Sequence, residues 1–309
     1  MDAGLQSLNM RFWPRRETIL RPILWSPEDL QLFDCHFSAI HAFEPQTCEA
    51  AGADDSSDHA ALAEREALVL QRSSSPLIKG FSMRAILNDG KLYRQQREPS
   101  LRIGNRVISP LPFSFFLPVE KQHLARGGLL PMTGYIDYAF IHSGRRKGNH
   151  RKLGPGQRDY GYLERLKRIT PRAWTEDPYI LFILLSMAQS QYLRRHGRHN
   201  TTFRASLFVT KHECRQDIYL FDVDISTALL DELDDPRIVP KRPTRLDIHR
   251  TRISFEPRQD LWARLVAALS SRGGGDAADG VGRRDGEGRR DVERQGDGAD
   301  EEGLERQET

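Results

Sequence analysis

Cysteine is scarce in this chain, and the spacings typical of disulfide or zinc-binding motifs are missing. Only Cys35, Cys48 and Cys214 occur among the 309 residues, and no CxxC pair is present. An odd number of widely spaced cysteines argues against a disulfide scaffold or a zinc ribbon. The pattern predicts reduced thiols and therefore a cytoplasmic or nuclear protein.

Long hydrophobic runs are lacking too. The N-terminal sequence MDAGLQSLNMRFWPRR has an acid at its second position and no apolar core of signal-peptide length. The most apolar stretch, residues 179–188, has about half the length that a membrane-spanning helix needs. We therefore expect neither export nor a membrane span.

Familiar catalytic motifs are missing as well. The sequence contains no G-x-S-x-G elbow, no HExxH pair and no GxxxxGK[ST] phosphate loop. These patterns mark serine hydrolases, zinc proteases and P-loop nucleotidases respectively. We predict no cofactor, and a non-enzymatic protein is expected in preference to an enzyme.

The chain is rich in charge, which is unevenly distributed. Residues 271–309 contain ten glycines, seven arginines and twelve acidic residues, and carry a net charge of −5. Their few large apolar side chains cannot offset the entropy that is lost on folding. The composition predicts a disordered charged tail. Because the whole chain carries +3, the remaining body of residues 1–270 carries +8.

The body has the pattern of a single α+β domain, best organised over residues 130–270. A helix over 178–196 is apolar all round its first ten residues, which is typical of a buried helix. Alternating strands, helices and turns complete this half, with strands at 203–209, 219–225 and 246–255 and helices at 227–233 and 257–270. We expect a mixed or antiparallel sheet packed on the buried 178–196 helix.

The first half of the body carries weaker local signals. Ser26 and Pro27 can start a helix with Leu30, Phe33, Phe37 and Ile40 on one face. Residues 44–58 are acidic and small, as in a flexible linker, and a short helix is predicted over 60–71. The remaining predictions are a strand at 81–87 before the turn Asn88-Asp89-Gly90, a hairpin over 101–108 around Gly104-Asn105, an edge or packed loop at 110–118, and a strand at 134–141.

The strongest local anomaly is the basic segment, residues 142–172. It holds ten Lys or Arg residues against two acids, so its net charge of +8 equals that of the whole body. We predict a glycine-rich basic loop that binds an acidic protein or nucleic acid. The candidate anion-binding residues are Arg145, Arg146, Lys147, His150, Arg151 and Lys152. Tyr160 and Tyr162 could stack on bases. The alternatives are a solvated surface and a nuclear-import signal.

An acidic strand at 217–226 supports a second hypothesis. Asp222 and Asp224 lie two residues apart, so their side chains share one face of the strand. Paired carboxylates can bind a divalent metal, as in a metal-dependent phosphodiesterase or nuclease. The restriction-endonuclease-like pattern (D/E)xK fails here, because Asp224 is followed by Ile and Ser. A degenerate scaffold without chemistry, or a solvated acidic edge, is the alternative.

Three segments carry a resemblance to a known family. The stretches YIDYAFIHSGRRKGNHRKLGPG (135–156), DPYILFILLSMAQSQ (177–191) and DIYLFDVDISTALLDELDDP (217–236) resemble a family of filamentous-fungal proteins of unknown function. The likeness covers roughly residues 130–270 and lies in the order of basic segment, apolar helix and acidic strand. It implies a lineage-restricted intracellular protein and no particular activity, cofactor or catalytic residue.

Overall fold

The computed structural model describes residues 6–12, 15–44, 56–89, 92–119, 131–149, 160–194, 202–240 and 244–271. The predicted disordered tail lies outside this part apart from Ser271, and so does most of the predicted acidic linker, residues 45–55. The helices are α1 (Leu8–Phe12), α2 (Arg16–Ile19), α3 (Ser56–Arg72), α4 (Pro76–Asp89), α5 (Tyr138–Asn149), α6 (Tyr162–Ile169), α7 (Pro178–Arg194), α8 (Thr227–Asp234) and α9 (Leu261–Ser270). Short 3-10 turns occupy Pro22–Leu24, Pro27–Phe33, Trp174–Glu176 and Arg258–Asp260.

A mixed seven-stranded sheet organises the fold and confirms the α+β class. The strands are β1 (Cys35–Ala42), β2 (Tyr93–Gln96), β3 (Leu101–Ile103), β4 (Arg106–Ile108), β5 (Ser114–Pro118), β6 (Met132–Asp137), β7 (Thr202–Thr210), β8 (Asp217–Ser226) and β9 (Leu246–Ser254). Their order in the sheet is β1-β9-β8-β7-β6-β5-β2, and β3 and β4 form a separate hairpin. Pairing is parallel at β1/β9 and β6/β7 and antiparallel at the other junctions.

Apolar side chains are buried on both faces of the sheet. Along β8, Phe221, Val223 and Ile225 belong to the core cluster around α7, whereas Ile218 and Leu220 belong to the cluster around α3, α4 and α9. This division follows from the alternation of side chains along a strand. Helices therefore cover the sheet on both sides. Helices α5, α6 and α7 lie in the crossover connection between β6 and β7.

Helix α7 is the buried central helix that the sequence predicts. Thirteen of its 17 residues are buried, including two glutamines that need hydrogen-bond partners in the interior. The Gln189 side chain accepts from the backbone N–H of Arg102 at 2.6 Å and donates to its carbonyl oxygen at 2.9 Å. These two bonds tie the β3–β4 hairpin to the end of α7. The hairpin turn itself lies at the predicted position, with Gly104 at φ +57°.

Two predictions in the first half are wrong. Residues 81–87 belong to helix α4 rather than to a strand, because Met83, Ile86 and Leu87 recur at helical spacing and pack against Ala67 and Leu70 of α3. Residues 114–118 form an internal strand, β5, rather than an edge or a packed loop. Phe115 and Phe116 fill opposite faces of the sheet, and the flanking prolines leave the ladder between β5 and its neighbours intact.

Two further element boundaries differ from prediction. The turn that starts at Ser26 ends at Phe33, so Phe37 and Ile40 lie in strand β1 instead of on a helix face. The strand predicted over 134–141 ends at Asp137, where the carboxylate accepts a hydrogen bond from the backbone N–H of Ala139 at 2.9 Å. A carboxylate in this position caps the first turn of α5. Of the helices in the described ranges, none is long and apolar enough to span a membrane.

Candidate functional site

The basic segment contains helical structure instead of one long loop. Residues 142–149 belong to α5 and residues 162–169 to α6. His150, Arg151 and Lys152 lie outside the described residues. The glycines Gly144 and Gly148 serve packing in α5: a Cβ built on them would lie 2.5 Å from Leu111 and 3.1 Å from Ile23. Their small size therefore allows helix contacts and does not expose backbone to a ligand.

Arg145 is a structural residue and not a surface anion-binding one. Its side chain is fully buried, and its two Nη groups donate to the two carboxylate oxygens of Asp177, each at 2.6 Å. Tyr138 donates to the same carboxylate at 2.8 Å. Burial opposes the arginine's charge, but the hydrogen bonds and charge of Asp177 outweigh it and raise the pKa of the Arg145 guanidinium. The prediction that Arg145 meets an external anion is therefore wrong.

The other cations of the segment face outward. Arg146, Lys147, Lys167, Arg168 and Arg172 are exposed. The one described acid of the segment, Glu164, pairs with Lys167 at 3.2 Å, and both side chains are more than three-quarters exposed. Such a pair in water contributes little and opens easily. The two helices therefore present an excess of positive charge to solvent.

A cleft of about 460 Å³ lies between this basic surface and the N-terminal segment. We call it the basic cleft. Its cationic side chains are Arg15, Arg165 and Arg168, and its acids are Glu28 and Asp29. Polar contact with Ser26, the backbone N–H of Glu28 itself, and the charges of Arg15 and Arg168 lower the pKa of Glu28. The cleft therefore contains three arginines and two ionised acids.

The two basic helices are held together by hydrogen bonds at the back of the cleft. Asn149, the last residue of α5, donates to the carbonyl oxygen of Tyr162 at 2.8 Å and accepts from Arg165 Nε at 3.3 Å. Arg21 of the N-terminal segment donates to the carbonyl oxygen of Gly148 at 2.7 Å. These bonds fix the relative positions of the cationic side chains. They could not be inferred from sequence, because the partners are up to 127 residues apart.

Asp29 is an acid of the cleft whose carboxylate already accepts several hydrogen bonds from the protein. It is 1% exposed and accepts hydrogen bonds from Arg15 at 2.6 Å and from the backbone N–H and hydroxyl of Ser26 at 2.7 and 3.0 Å. The Ser26–Asp29 pair is the capping box of the turn that follows Ser26. Its negative charge is therefore locked into the fold, whereas Arg168 makes no hydrogen bond or ion pair with any described residue.

Aromatic and apolar side chains lie beside the cations. Tyr160, just before α6, is 87% exposed, and Leu163 in its first turn is 64% exposed. Single exposed apolar side chains are normal on a protein surface, so the relevant feature of Tyr160 and Leu163 is their place next to the exposed cations of α6. Tyr162 instead uses its hydroxyl to donate to the carbonyl oxygen of Arg146 at 3.4 Å. Of the two tyrosines singled out in the sequence, Tyr160 is thus the one whose ring is available for stacking.

The acidic strand has a different environment. Asp222 is 2% exposed and accepts hydrogen bonds from Arg204 Nε, at 3.0 Å to each oxygen, and from the hydroxyl of Ser206. Asp224 is exposed and lies opposite Arg204 on the neighbouring strand. Among the described side chains, no group of three or more His, Cys, Asp or Glu could hold a metal ion. Arg204 therefore already pairs with the buried carboxylate on which the metal hypothesis depends.

Comparison with known proteins supplies no function, so a function must be inferred from the geometry of the site. The sequence matches no protein-family model and no curated protein. The resemblance to a filamentous-fungal family therefore stays a prediction.

Proposed function

We propose that the protein is a non-enzymatic interaction protein that binds single-stranded nucleic acid through its basic cleft and the exposed cations of α5 and α6. The cysteine pattern favours the cytoplasm or nucleus as its place of action. The supporting observation is the excess of exposed cations on α5 and α6 over their one described acid, Glu164, next to a cleft that holds three arginines and two acids. Phosphates are the anions that such spaced cations neutralise along a chain.

The exposed Tyr160 favours a single strand over a duplex. An aromatic ring beside a cationic groove can stack on an unpaired base, which is worth about 1–3 kcal/mol per base. In a duplex the base faces are already stacked. An acidic protein would pair with the cations, but it offers no base on which the Tyr160 ring could stack.

The test is fluorescence anisotropy with a labelled oligouridylate, a DNA duplex and a polyglutamate peptide of equal charge, over a series of salt concentrations. We expect the oligouridylate to bind most tightly, with the logarithm of affinity falling linearly with the logarithm of salt concentration. Replacing Lys167 and Arg168 with Ala should reduce that slope by about one for each phosphate that is no longer neutralised.

A matched control removes two exposed arginines in and just after strand β2, Arg94 and Arg97. This control changes net charge equally and should leave the slope nearly unchanged. Equal effects of both double variants would show that only overall charge matters. Tighter binding of polyglutamate than of oligouridylate would identify an acidic protein as the partner instead.

A further inference from the structure

A second cavity, separate from the basic cleft, lies where α4 and α5 meet strands β5 and β6. We call it the aromatic pocket. Its volume is about 140 Å³, and rings of Phe81, Phe113 and Phe140 line it. An apolar cavity of roughly 150 Å³ accepts one benzene-sized ring. Phe81 is 55% exposed although it is a large apolar residue on α4, so its ring stands at the mouth of the pocket.

The rim of this pocket carries one cation and one anion. Arg84 donates a hydrogen bond to Gln95 at 3.0 Å, and its guanidinium carbon lies 5.7 Å from the centroid of the Phe81 ring. These contacts orient the guanidinium while most of its N–H groups stay without a partner in the described chain. Glu98 lines the same pocket and makes no hydrogen bond or ion pair with any described residue.

The buried acid at the floor is not available to a ligand. Asp137 accepts from Lys79 at 2.7 Å, from Thr210 at 2.9 Å and from the backbone N–H of Ala139 at 2.9 Å. Lys79 and Asp137 are both 2% exposed, so their charges cancel within the fold. Among the described residues that line the pocket, Arg84 and Glu98 therefore carry the charges that a ligand can meet.

We propose that the aromatic pocket binds an aromatic α-amino acid as its zwitterion. The ring occupies the space between the phenylalanines, the carboxylate pairs with Arg84, and the ammonium pairs with Glu98. A ligand with only a carboxylate would meet the negative charge of Glu98, and one with only an amine would meet the positive charge of Arg84. This opposition selects for a ligand that carries both charges. The inference does not depend on the basic cleft.

The test is isothermal titration calorimetry with three probes that share one ring: L-phenylalanine, 3-phenylpropionate and 2-phenylethylamine. Removing either charged group from the ligand should cost about tenfold in affinity or more, because a charge-assisted hydrogen bond disappears with it. We expect L-phenylalanine to bind more tightly than both single-charge probes by at least that factor. Equal affinity for the three probes, or no binding of L-phenylalanine, would overturn the proposal.

Charge variants distinguish the two ends of the ligand. R84Q should abolish the preference for L-phenylalanine over 2-phenylethylamine, and E98Q should abolish its preference over 3-phenylpropionate. R106Q, an exposed arginine of the β3–β4 hairpin, is the matched control and should change neither ratio. If R106Q changed either ratio as much as R84Q or E98Q does, the ligand would lie elsewhere.

A variant at Gly80 tests the location by filling the pocket. Gly80 lines the cavity, and a Cβ built there lies 3.5 Å from the Ser114 hydroxyl oxygen, an ordinary contact. G80L therefore extends a side chain into the cavity, and it replaces glycine by a strong helix former within α4. We expect an unchanged or raised melting temperature together with an absence of L-phenylalanine binding. Retained binding in a folded G80L protein would contradict the assignment.

Discussion

At the scale of single residues, neighbouring arginines of the basic segment have opposite roles. Arg145 is fully buried against Asp177, whereas Arg146 is exposed and its side chain makes no hydrogen bond with a described residue. Helical geometry causes this difference, because adjacent residues point about 100° apart around the axis. Replacing both arginines together would therefore mix a loss of stability with a loss of surface charge.

We predict that D177N destabilises the protein by about 3–5 kcal/mol, because it leaves the buried charge of Arg145 uncompensated. R145M should also be strongly destabilising, since it removes the arginine that neutralises the buried Asp177 carboxylate. The double variant R145M/D177N should be more stable than the sum of the two single effects predicts. Urea denaturation followed by circular dichroism measures all three.

R146A provides the control for this cycle. Arg146 is exposed and its side chain bonds to no described residue, so R146A should change the free energy of unfolding by about 0.5 kcal/mol or less. A loss of stability in R146A comparable with that in R145M would show that burial of the Arg145–Asp177 pair is not the reason for its effect.

At the scale of secondary-structure elements, one residue separates a helical turn from the edge strand. Asp34 has φ 45° and ψ 48°, a left-handed conformation, immediately after the turn Pro27–Phe33 and before β1. Its carbonyl oxygen accepts from the backbone N–H of Leu246 at 3.1 Å, which starts the parallel pairing of β1 with β9. The change in backbone direction at Asp34 thus converts a predicted helix face into a strand.

We predict that D34V lowers the free energy of unfolding by about 1–2 kcal/mol, because a β-branched side chain is strained in the left-handed region. D34N should remain within about 0.5 kcal/mol of the parent, since Asn tolerates this conformation and the exposed contact of Asp34 with His36 is weak. Thermal unfolding of D34V and D34N measures these changes in stability. If Val costs no more than Asn, the conformation of residue 34 does not set this boundary.

At the scale of the whole molecule, charge is divided between two parts of the sequence. Residues 271–309 carry −5, and the basic segment carries +8. The acidic tail can compete with an external anion for the basic segment, and salt weakens that competition.

We predict that deleting residues 271–309 strengthens oligouridylate binding several-fold at low salt, with the difference vanishing as salt is raised. Anisotropy titrations of the full chain and the truncated chain measure it. A matched control deletes the same residues and restores the −5 charge in a fused peptide of shuffled order. Unchanged affinity after deletion would reduce the tail to a passive appendage.

The sequence alone was enough to determine elements whose signal is local. The apolar character of residues 179–188, the alternation along β7, β8 and β9, and the turn at Gly104 are all properties of neighbouring residues, so periodicity and glycine placement identified them. The unequal distribution of charge is also readable without a structure.

Tertiary structure alone decided features that depend on distant partners. Phe37 lies in a strand because β1 pairs with β9, more than 200 residues later, and α4 is a helix because its apolar side chains pack on α3. Arg145 is buried because Asp177 meets it across 32 residues, and Arg84 and Glu98 share a rim only through the folding of α4 onto the sheet. Local composition sets which residues are charged or apolar, but only long-range packing determines which of those charges are neutralised inside the protein and which can meet a ligand.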